Sequence, residues 1–289
     1  MALTINTNLG SMIVQKNLDK ATKSLNQAIE RMTTGYKINS AKDDPAGYAV
    51  STKMNTQLSS ISVAQDNVAI GSSLLSTAES SYDLITTHLQ RIRDLTEEAA
   101  NGTYGQDSID AIKAEVDARW DEIDRIASTT EFNGIKLLDG TKGTSGITLQ
   151  IGIDSTTNSK LAVSGDLFAS AKTDQLMKNG GTAVTKTTFT NYFTAGGANY
   201  STALDAVDRA LAEVSSRQTK IGAMQNRLDS AADALEVQYS NVASSLSTIK
   251  DADVAAESSE YIKAQILQQA SASLLSTANQ APSIALNLI

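Results

Sequence analysis

No cysteine occurs in the 289 residues. Disulfides, thiolate metal sites and cysteine nucleophiles are therefore excluded, and the chain suits either a reducing cytosol or an exterior location that needs no disulfide. There is one histidine, His88. A HExxH zinc site cannot be built, and a Ser-His-Asp triad would have to use His88. That residue stands beside a heptad position in a long helical stretch, which reads as a helix-surface histidine. No GxxxxGK or GxGxxG loop is present. The carboxylate pairs Glu97-Glu98 and Asp43-Asp44 read as a solvated helix end and as a cap before Pro45. No catalytic, metal-binding or cofactor-binding residue is expected.

Other scarcities bound the partners. Lys and Arg number 24 against 32 Asp and Glu, for a net charge of −8 and a pI near 4.8. A nucleic-acid partner, which needs cationic side chains to neutralise phosphate, is not expected. No run of 18 apolar residues exists, so no membrane helix is expected. The start of the chain lacks the basic-then-apolar pattern of a cleavable signal, so an exported protein would need some other signal. Aromatics make up 4% and there is one tryptophan, which points to a thin core of small aliphatic side chains, as in long helical bundles.

Only two prolines, Pro45 and Pro282, break the chain, and before and after Pro45 the apolar residues recur in heptads. Val14, Leu18, Ala21, Leu25, Ala28 and Met32 form a first seam that fades at Gly35. After Pro45 a second seam reads Met54, Ile61, Val68, Leu75, Tyr82 and Leu89, with Gln57, Ala64, Gly71, Ala78, Ile85 and Ile92 beside it. This helix should run for roughly 80 Å to a C-cap at Asn101-Gly102. A third helix is expected from Asp107 or Ser108, carrying Ile109, Ile112, Val116, Trp120, Ile123 and Ala127, and a turn at Asn133-Gly134 should lead into a hairpin. A fourth repeats Val207, Val214, Ile221, Leu228, Leu235, Val242 and Ile249, with Leu204, Leu211, Gln218, Gln225, Ala232, Tyr239 and Leu246 as its second row. The sustained period of seven implies left-handed coiled-coil packing. A last helix should follow Asp251 or Asp253 and stop at Pro282.

Residues 139–200 differ. They hold nine of the 17 glycines and three of the four phenylalanines, and "ITLQIGI" alternates as a strand does. The predicted fold is mainly α: a long coiled-coil bundle of N- and C-terminal arms with a small β-containing central lobe. The expected domains are an inner pair at 1–35 and 240–289, a connector at 36–44, a helical core at 45–138 and 201–239, and a variable outer lobe at 139–200. Asn101-Gly-Thr and Asn199-Tyr-Ser match the glycosylation sequon, a short motif.

The two ends are opposite in charge. Residues 1–40 carry five Lys or Arg against two acids, and residues 240–289 carry four acids against two Lys, which suits pairing of the two terminal helices and guides register. From Ala264 to Ile289 there is no charge at all. Such a helix is buried either inside one monomer or, the reading preferred here, between many identical chains; a membrane-lying helix would carry Lys and Arg.

These stretches resemble bacterial flagellin. The N-terminal likeness spans about 1–140, in "INTNLGSMIVQKNL", "RMTTGYKINSAKDDPAGYAV", "QRIRDLTEEAANGT" and "DEIDRIASTTEFNGIKLLDG". The C-terminal likeness spans about 200–289, in "IGAMQNRLDSA" and "IKDADVAAESSEYIKAQILQQASASLLSTANQ". The resemblance implies a structural subunit, exported unfolded through the flagellar type III apparatus, that polymerises into the extracellular filament driving motility. The terminal helices would line its channel and be disordered in free monomer. The partners implied are further copies of the chain, an export chaperone, and the filament cap and hook-junction proteins. Ile262, Ile266, Leu267, Leu274 and Leu275 would serve assembly and chaperone binding. Gly35, Asp44 and Pro45 would form the connector. "LQRIRDL" also resembles the segment bound by the host Toll-like receptor for flagellin, with Arg91, Leu95 and Glu115 at the matching positions and Asp94 where glutamate is common. Alternative readings are a hook–filament junction protein and a secreted coiled-coil effector.

Overall fold

The computed structural model describes residues 7–179, 182–193 and 199–286. Helices dominate: α1 (Leu9–Thr34), α2 (Pro45–Ala100), α3 (Gln106–Thr129), the short α4 (Thr173–Leu176) and α5 (Lys186–Thr190), then α6 (Tyr200–Lys250) and α7 (Val254–Leu286). Between α3 and α6 lie three antiparallel hairpins: β1 (Glu131–Phe132) with β2 (Ile135–Lys136), β3 (Ile147–Gln150) with β4 (Lys160–Val163), and β5 (Lys178–Asn179) with β6 (Thr182–Ala183). The fold is thus mainly α with a small β-containing insert. The chain divides into two compact units, Met1–Ser59 with Ser240–Ile289, and Ser60–Tyr239.

In the first unit α1 and α7 lie antiparallel. Asn8 meets Ala278, Thr22 meets Gln268, and Arg31 pairs with Glu257 at 2.9 Å. That ion pair is the one joining the oppositely charged ends among the described residues. Helix α1 begins at Asn8, whose Oδ1 accepts the Ser11 amide, and ends at Gly35, whose φ of +75° is the left-handed C-cap conformation. The last helix does not stop at Pro282 but continues to Leu286. A proline inside a helix removes one amide donor and crowds the carbonyl four residues back. Here that carbonyl, Ala278, accepts a hydrogen bond from α1.

In the second unit α2, α3 and α6 pack with neighbours antiparallel. Arg93 bonds Asp208, Gln218 bonds Asp83 and Gln225 bonds Glu79, while Thr130 reaches Ser81 across the α2–α3 contact. The α2 seam is buried throughout this unit: Ile61, Ala64, Val68, Leu75, Ala78, Tyr82, Ile85, Leu89 and Ile92. On α6 the main row is buried from Val207 to Leu235. Its second row is not the one expected. Ala203, Ala210 and Arg217 are buried, whereas Leu204, Leu211, Gln218 and Gln225 are half-buried and the two glutamines bond acids on α2. Period alone does not say on which side of a heptad row the partner helix lies.

Two boundaries also move. Helix α3 starts at Gln106, with Gly105 at the N-cap position and no side-chain cap. Helix α2 ends at Ala100 in a tight turn, where Asn101 Oδ1 accepts the Thr103 amide, rather than in a left-handed cap at Gly102. The Asn133-Gly134 turn behaves as its residues require: both have positive φ, 49° and 77°, which the two-residue hairpin loop between β1 and β2 demands.

The insert is fastened to the helices of the same unit. Leu149 of β3 sits over Gly71 of α2, where an added Cβ would overlap its Cδ1, and Asn67 Nδ2 donates to the Gln150 carbonyl. Four of the scarce aromatics gather here: Trp120, Phe189, Phe193 and Tyr200 stack in series at centroid distances of 5.4–5.8 Å. Tyr82 Oη donates to the Leu167 carbonyl at 2.8 Å, and buried Arg217 donates to the Ala169 carbonyl at 2.8 Å and to Glu213 at 2.9 Å.

Candidate functional site

The face that α7 turns to α1 is not its aliphatic one. Toward α1 lie Ala264, Ser271, Gln268 and Glu257, small or polar side chains that are buried or half-buried. Ile262, Ile266, Leu267 and Leu274 stay largely exposed, Ile266 at 59% and Leu274 at 57%, with Leu267 and Leu274 at the edge of a groove that Ala21 also lines; Leu275 is half-buried. Helix α1 does the same. Ala21 and Ala28 are buried on its seam and Val14, Leu18 and Leu25 are half-buried, while Leu9, Met12, Ile13 and Ile29 face outward. Small residues let the two backbones approach closely, and the larger apolar side chains are left without a partner inside the monomer. A helix without charge from Ala264 onward, with an exposed aliphatic row, is a surface that another apolar surface would cover.

The connector is ordered by backbone pairing. Tyr36 and Asp251 form an isolated antiparallel bridge, with Lys37 N bonded to the Lys250 carbonyl and Ala252 N to the Gly35 carbonyl, both at 2.8 Å. The Lys250 ammonium sits 4.1 Å from the centroid of the Tyr36 ring. Asp43 Oδ2 accepts the Ser40 hydroxyl and the Ser40 and Asn39 amides, and these bonds hold its carboxyl below the usual range. Asp44 Oδ1 accepts the Ala46 and Gly47 amides, and Pro45 is the first helical residue, the geometry expected of that pair.

Gly47 is the connector residue that sequence reasoning passed over. A Cβ there would overlap the Asp44 carboxylate and the Ile38 Cδ1, and both are held, one by its cap bonds and the other by burial. At Gly35 a Cβ would meet open space, so only the positive φ is at stake. Gly47→Ala is therefore expected to raise the critical concentration for self-assembly more than Gly35→Ala. The first costs roughly 1–3 kcal/mol of overpacking and the second about 1 kcal/mol of backbone strain. Sedimentation of assembled protein across a concentration series would measure both, and the reverse order would show that the Asp44–Ile38 corner is not the constrained point.

Arg91 and Glu115 are brought together on the exposed side of α2 and α3. The guanidinium forks onto the carboxylate, Nε to Oε1 at 2.9 Å and Nη2 to Oε2 at 3.2 Å, and Arg119 approaches Oε1 at 3.4 Å. Leu95 does not join them at the surface: it is 2% exposed, packed in the helical core. The Arg91 hydrogen bonds hold the Glu115 carboxyl below the ordinary glutamate range. A depressed carboxylate contributes stability above its unfolded value and loses it as pH falls through the lowered folded value. Glu115 should therefore titrate below other exposed glutamates in an NMR pH series, and Arg91→Ala should return it toward them. An unchanged midpoint in that variant would assign the shift to another cause. His88 lies one turn away with Nδ1 3.4 Å from Arg119 Nη1; burial first, then Arg119, lowers its pKa.

Arg217, Tyr82 and Asn8 also carry more than sequence reasoning assigned to them. Arg217 had a visible signal, a charged residue in line with the buried row three residues after Val214. Tyr82 was placed in the seam, but nothing in the spacing revealed what its hydroxyl would reach.

Comparison with known proteins bears on the whole chain. The family model for the bacterial flagellin N-terminal helical region matches residues 5–143, and that for the C-terminal helical region matches residues 204–289. Polar flagellin F of Vibrio parahaemolyticus is 32% identical over all of both chains, and a flagellin of Listeria monocytogenes is 33% identical over 99% of each. Among solved structures, one described as a flagellar hook-associated protein from Vibrio parahaemolyticus superposes with a TM-score of 0.62 at 20% identity, covering 72% of this chain and all of that one, a likeness of fold. The chain therefore belongs to the bacterial flagellin family, a structural and not an enzymatic family whose members assemble into the flagellar filament.

Proposed function

We propose that this chain polymerises through its terminal unit, with α1 and α7 of many copies packed together as the innermost layer of an extracellular filament that serves motility. The observation carrying this reading is the exposed aliphatic row of α7, which carries no charge from Ala264 onward, matched by the outward row on α1. The energetics agree. The side chains buried between α1 and α7 are chiefly Ala21, Ala28, Ala264 and Ser271, which hide little area. Ordering the 26 residues of α1 and the 33 of α7 costs about 1–2 kcal/mol each in backbone entropy. The pair cannot recover that alone, so folding of the ends is coupled to assembly. Purified chain seeded with filament fragments should grow filaments visible by electron microscopy, and dilute monomer should lose both ends to protease while Ser60–Tyr239 survives. Failure of the seeds to grow would remove the reading.

Export through the flagellar type III apparatus fits ends that are unfolded before assembly. The same α7 row, Ile262, Ile266, Leu267, Leu274 and Leu275, would be the segment an export chaperone covers beforehand. The filament cap and hook-junction proteins are the remaining bacterial partners of this reading. For the host Toll-like receptor, the accessible contact is the Arg91–Glu115 fork, with Leu95 supporting it from beneath. Charge-reversal at Arg91 should then abolish receptor signalling by soluble protein, while Leu95→Met should leave it largely intact.

A further inference from the structure

We infer that Asn8 is the register pin at the open end of the terminal helix pair, acting through the carbonyl that Pro282 leaves vacant. This rests on the proposal that α1 and α7 pair within the assembled filament, and goes beyond it by naming what sets their alignment. Apolar contact alone sets register weakly here. The seam of α1 repeats every seven residues, and its deepest members are Ala28 and Ala21, the second beside Ala264 and Ser271 of α7. Alanine against alanine discriminates poorly between one alignment and another a heptad away. At the far end the register is already held by the Arg31–Glu257 pair and by the backbone bonds of Lys37 to Lys250 and Ala252 to Gly35, so what remains to be set is the alignment of the open end, where α1 begins and α7 finishes.

Asn8 behaves differently. Its Oδ1 accepts the Ser11 amide at 3.0 Å and caps α1, while its Nδ2 donates to the Ala278 carbonyl at 2.7 Å. Pro282 is the one residue of α7 without an amide hydrogen, and Ala278 lies four residues before it. That carbonyl therefore lacks its helical donor, and every other carbonyl from Val254 to Ala281 has an amide four residues on. A short side chain held by its own capping bond meets the one carbonyl between Val254 and Ala281 that has no helical donor. A slip by one turn would set the amide against a carbonyl already engaged and leave Ala278 unpaired in the contact. Ser11 Oγ, bonded to Asn279 Oδ1 at 2.8 Å, flanks the same point. The two rare features of the ends, a proline inside a helix and an asparagine cap, are thus complementary halves of one contact.

The test is a double-mutant cycle on full-length chain, read as the critical concentration for seeded polymerisation. Asn8→Ser keeps a good cap but removes the amide donor. It is expected to raise the critical concentration roughly tenfold. Pro282→Ala restores an amide for the Ala278 carbonyl, and in that background Asn8→Ser is expected to change the value by no more than about twofold. Hydrogen exchange at 9–14 in polymer of Asn8→Ser should rise in the parental background and fall back once Pro282→Ala is added. Equal effects of Asn8→Ser in both backgrounds would make Asn8 a cap and nothing else, and no effect in either would overturn the pin. Failure of the parent chain itself to polymerise would instead remove the assembly reading, so the two failures are distinguishable.

Discussion

Replacing Ile266 and Leu274 together with serine is expected to raise the critical concentration for polymerisation by about 30- to 100-fold. Both side chains are more than half exposed in the single chain. Each therefore has on the order of 1–1.5 kcal/mol of apolar burial still to gain when a neighbour covers it. Losing both removes roughly 2–3 kcal/mol per subunit, and each 1.4 kcal/mol is a factor of ten. The internal α1–α7 contact should suffer little, because Ala264, Ser271 and Gln268 make it, while Ile266 lies on the opposite side of the helix and Leu274 only borders the groove beside Ala21. Thermal unfolding of Ser60–Tyr239 in the monomer should be unchanged. Polymerisation at the parental concentration, measured by sedimentation and electron microscopy, would show that the aliphatic row faces solvent in the filament. A loss of assembly accompanied by a lower melting temperature would show that the row had been misread as free.

Arg217→Leu is expected to produce the largest loss of stability in the helical unit, about 3 kcal/mol. The guanidinium is buried, and it satisfies the Ala169 carbonyl at 2.8 Å, the Ser170 carbonyl at 3.3 Å and the Tyr82 hydroxyl at 3.3 Å. Leucine would remove the buried charge but leave those acceptors facing apolar atoms, each at a cost of about 1–3 kcal/mol before relaxation. Glu213, the ionic partner, is half exposed and can turn to water, so its contribution is small. For a unit of this size the loss corresponds to a melting temperature roughly 6–12 °C lower. Arg217→Lys should recover only part of it, since an ammonium cannot reproduce the fork. The insert should loosen first, seen as faster amide exchange around 167–171, because Tyr82 and Arg217 hold that loop on α2 and α6. A stable Arg217→Leu variant would mean that Leu167, Phe168 and the aromatic series hold the insert without polar help.

Much of this was legible in the sequence. The α2 seam from Ile61 to Ile92, the Asp44-Pro45 helix start, the Gly35 stop and the Asn133-Gly134 turn are short-range patterns whose physics lies within a few residues of chain. Family membership was legible for a different reason: the motifs near both ends are long and occur in order. The partner-dependent features were less legible. A heptad row shows that a helix has a buried side but not which flank of that row is covered, so the α6 second row was placed on Leu204 and Leu211 instead of Ala203 and Ala210. For the candidate receptor patch, the resemblance named Arg91, Leu95 and Glu115 together but could not tell that the aliphatic member points into the core.

The sequence by itself therefore determined a long-helix protein with no catalytic machinery to propose, because period, caps and composition are local or additive properties. Tertiary structure decided what each special residue does. Which side of α7 meets α1 was one such decision: close helix approach selects alanine and serine for the inner contact and leaves the aliphatic row exposed. Pro282 looked like a stop and became an interior residue. Its local cost is a missing donor, and in the folded chain Asn8 supplies one.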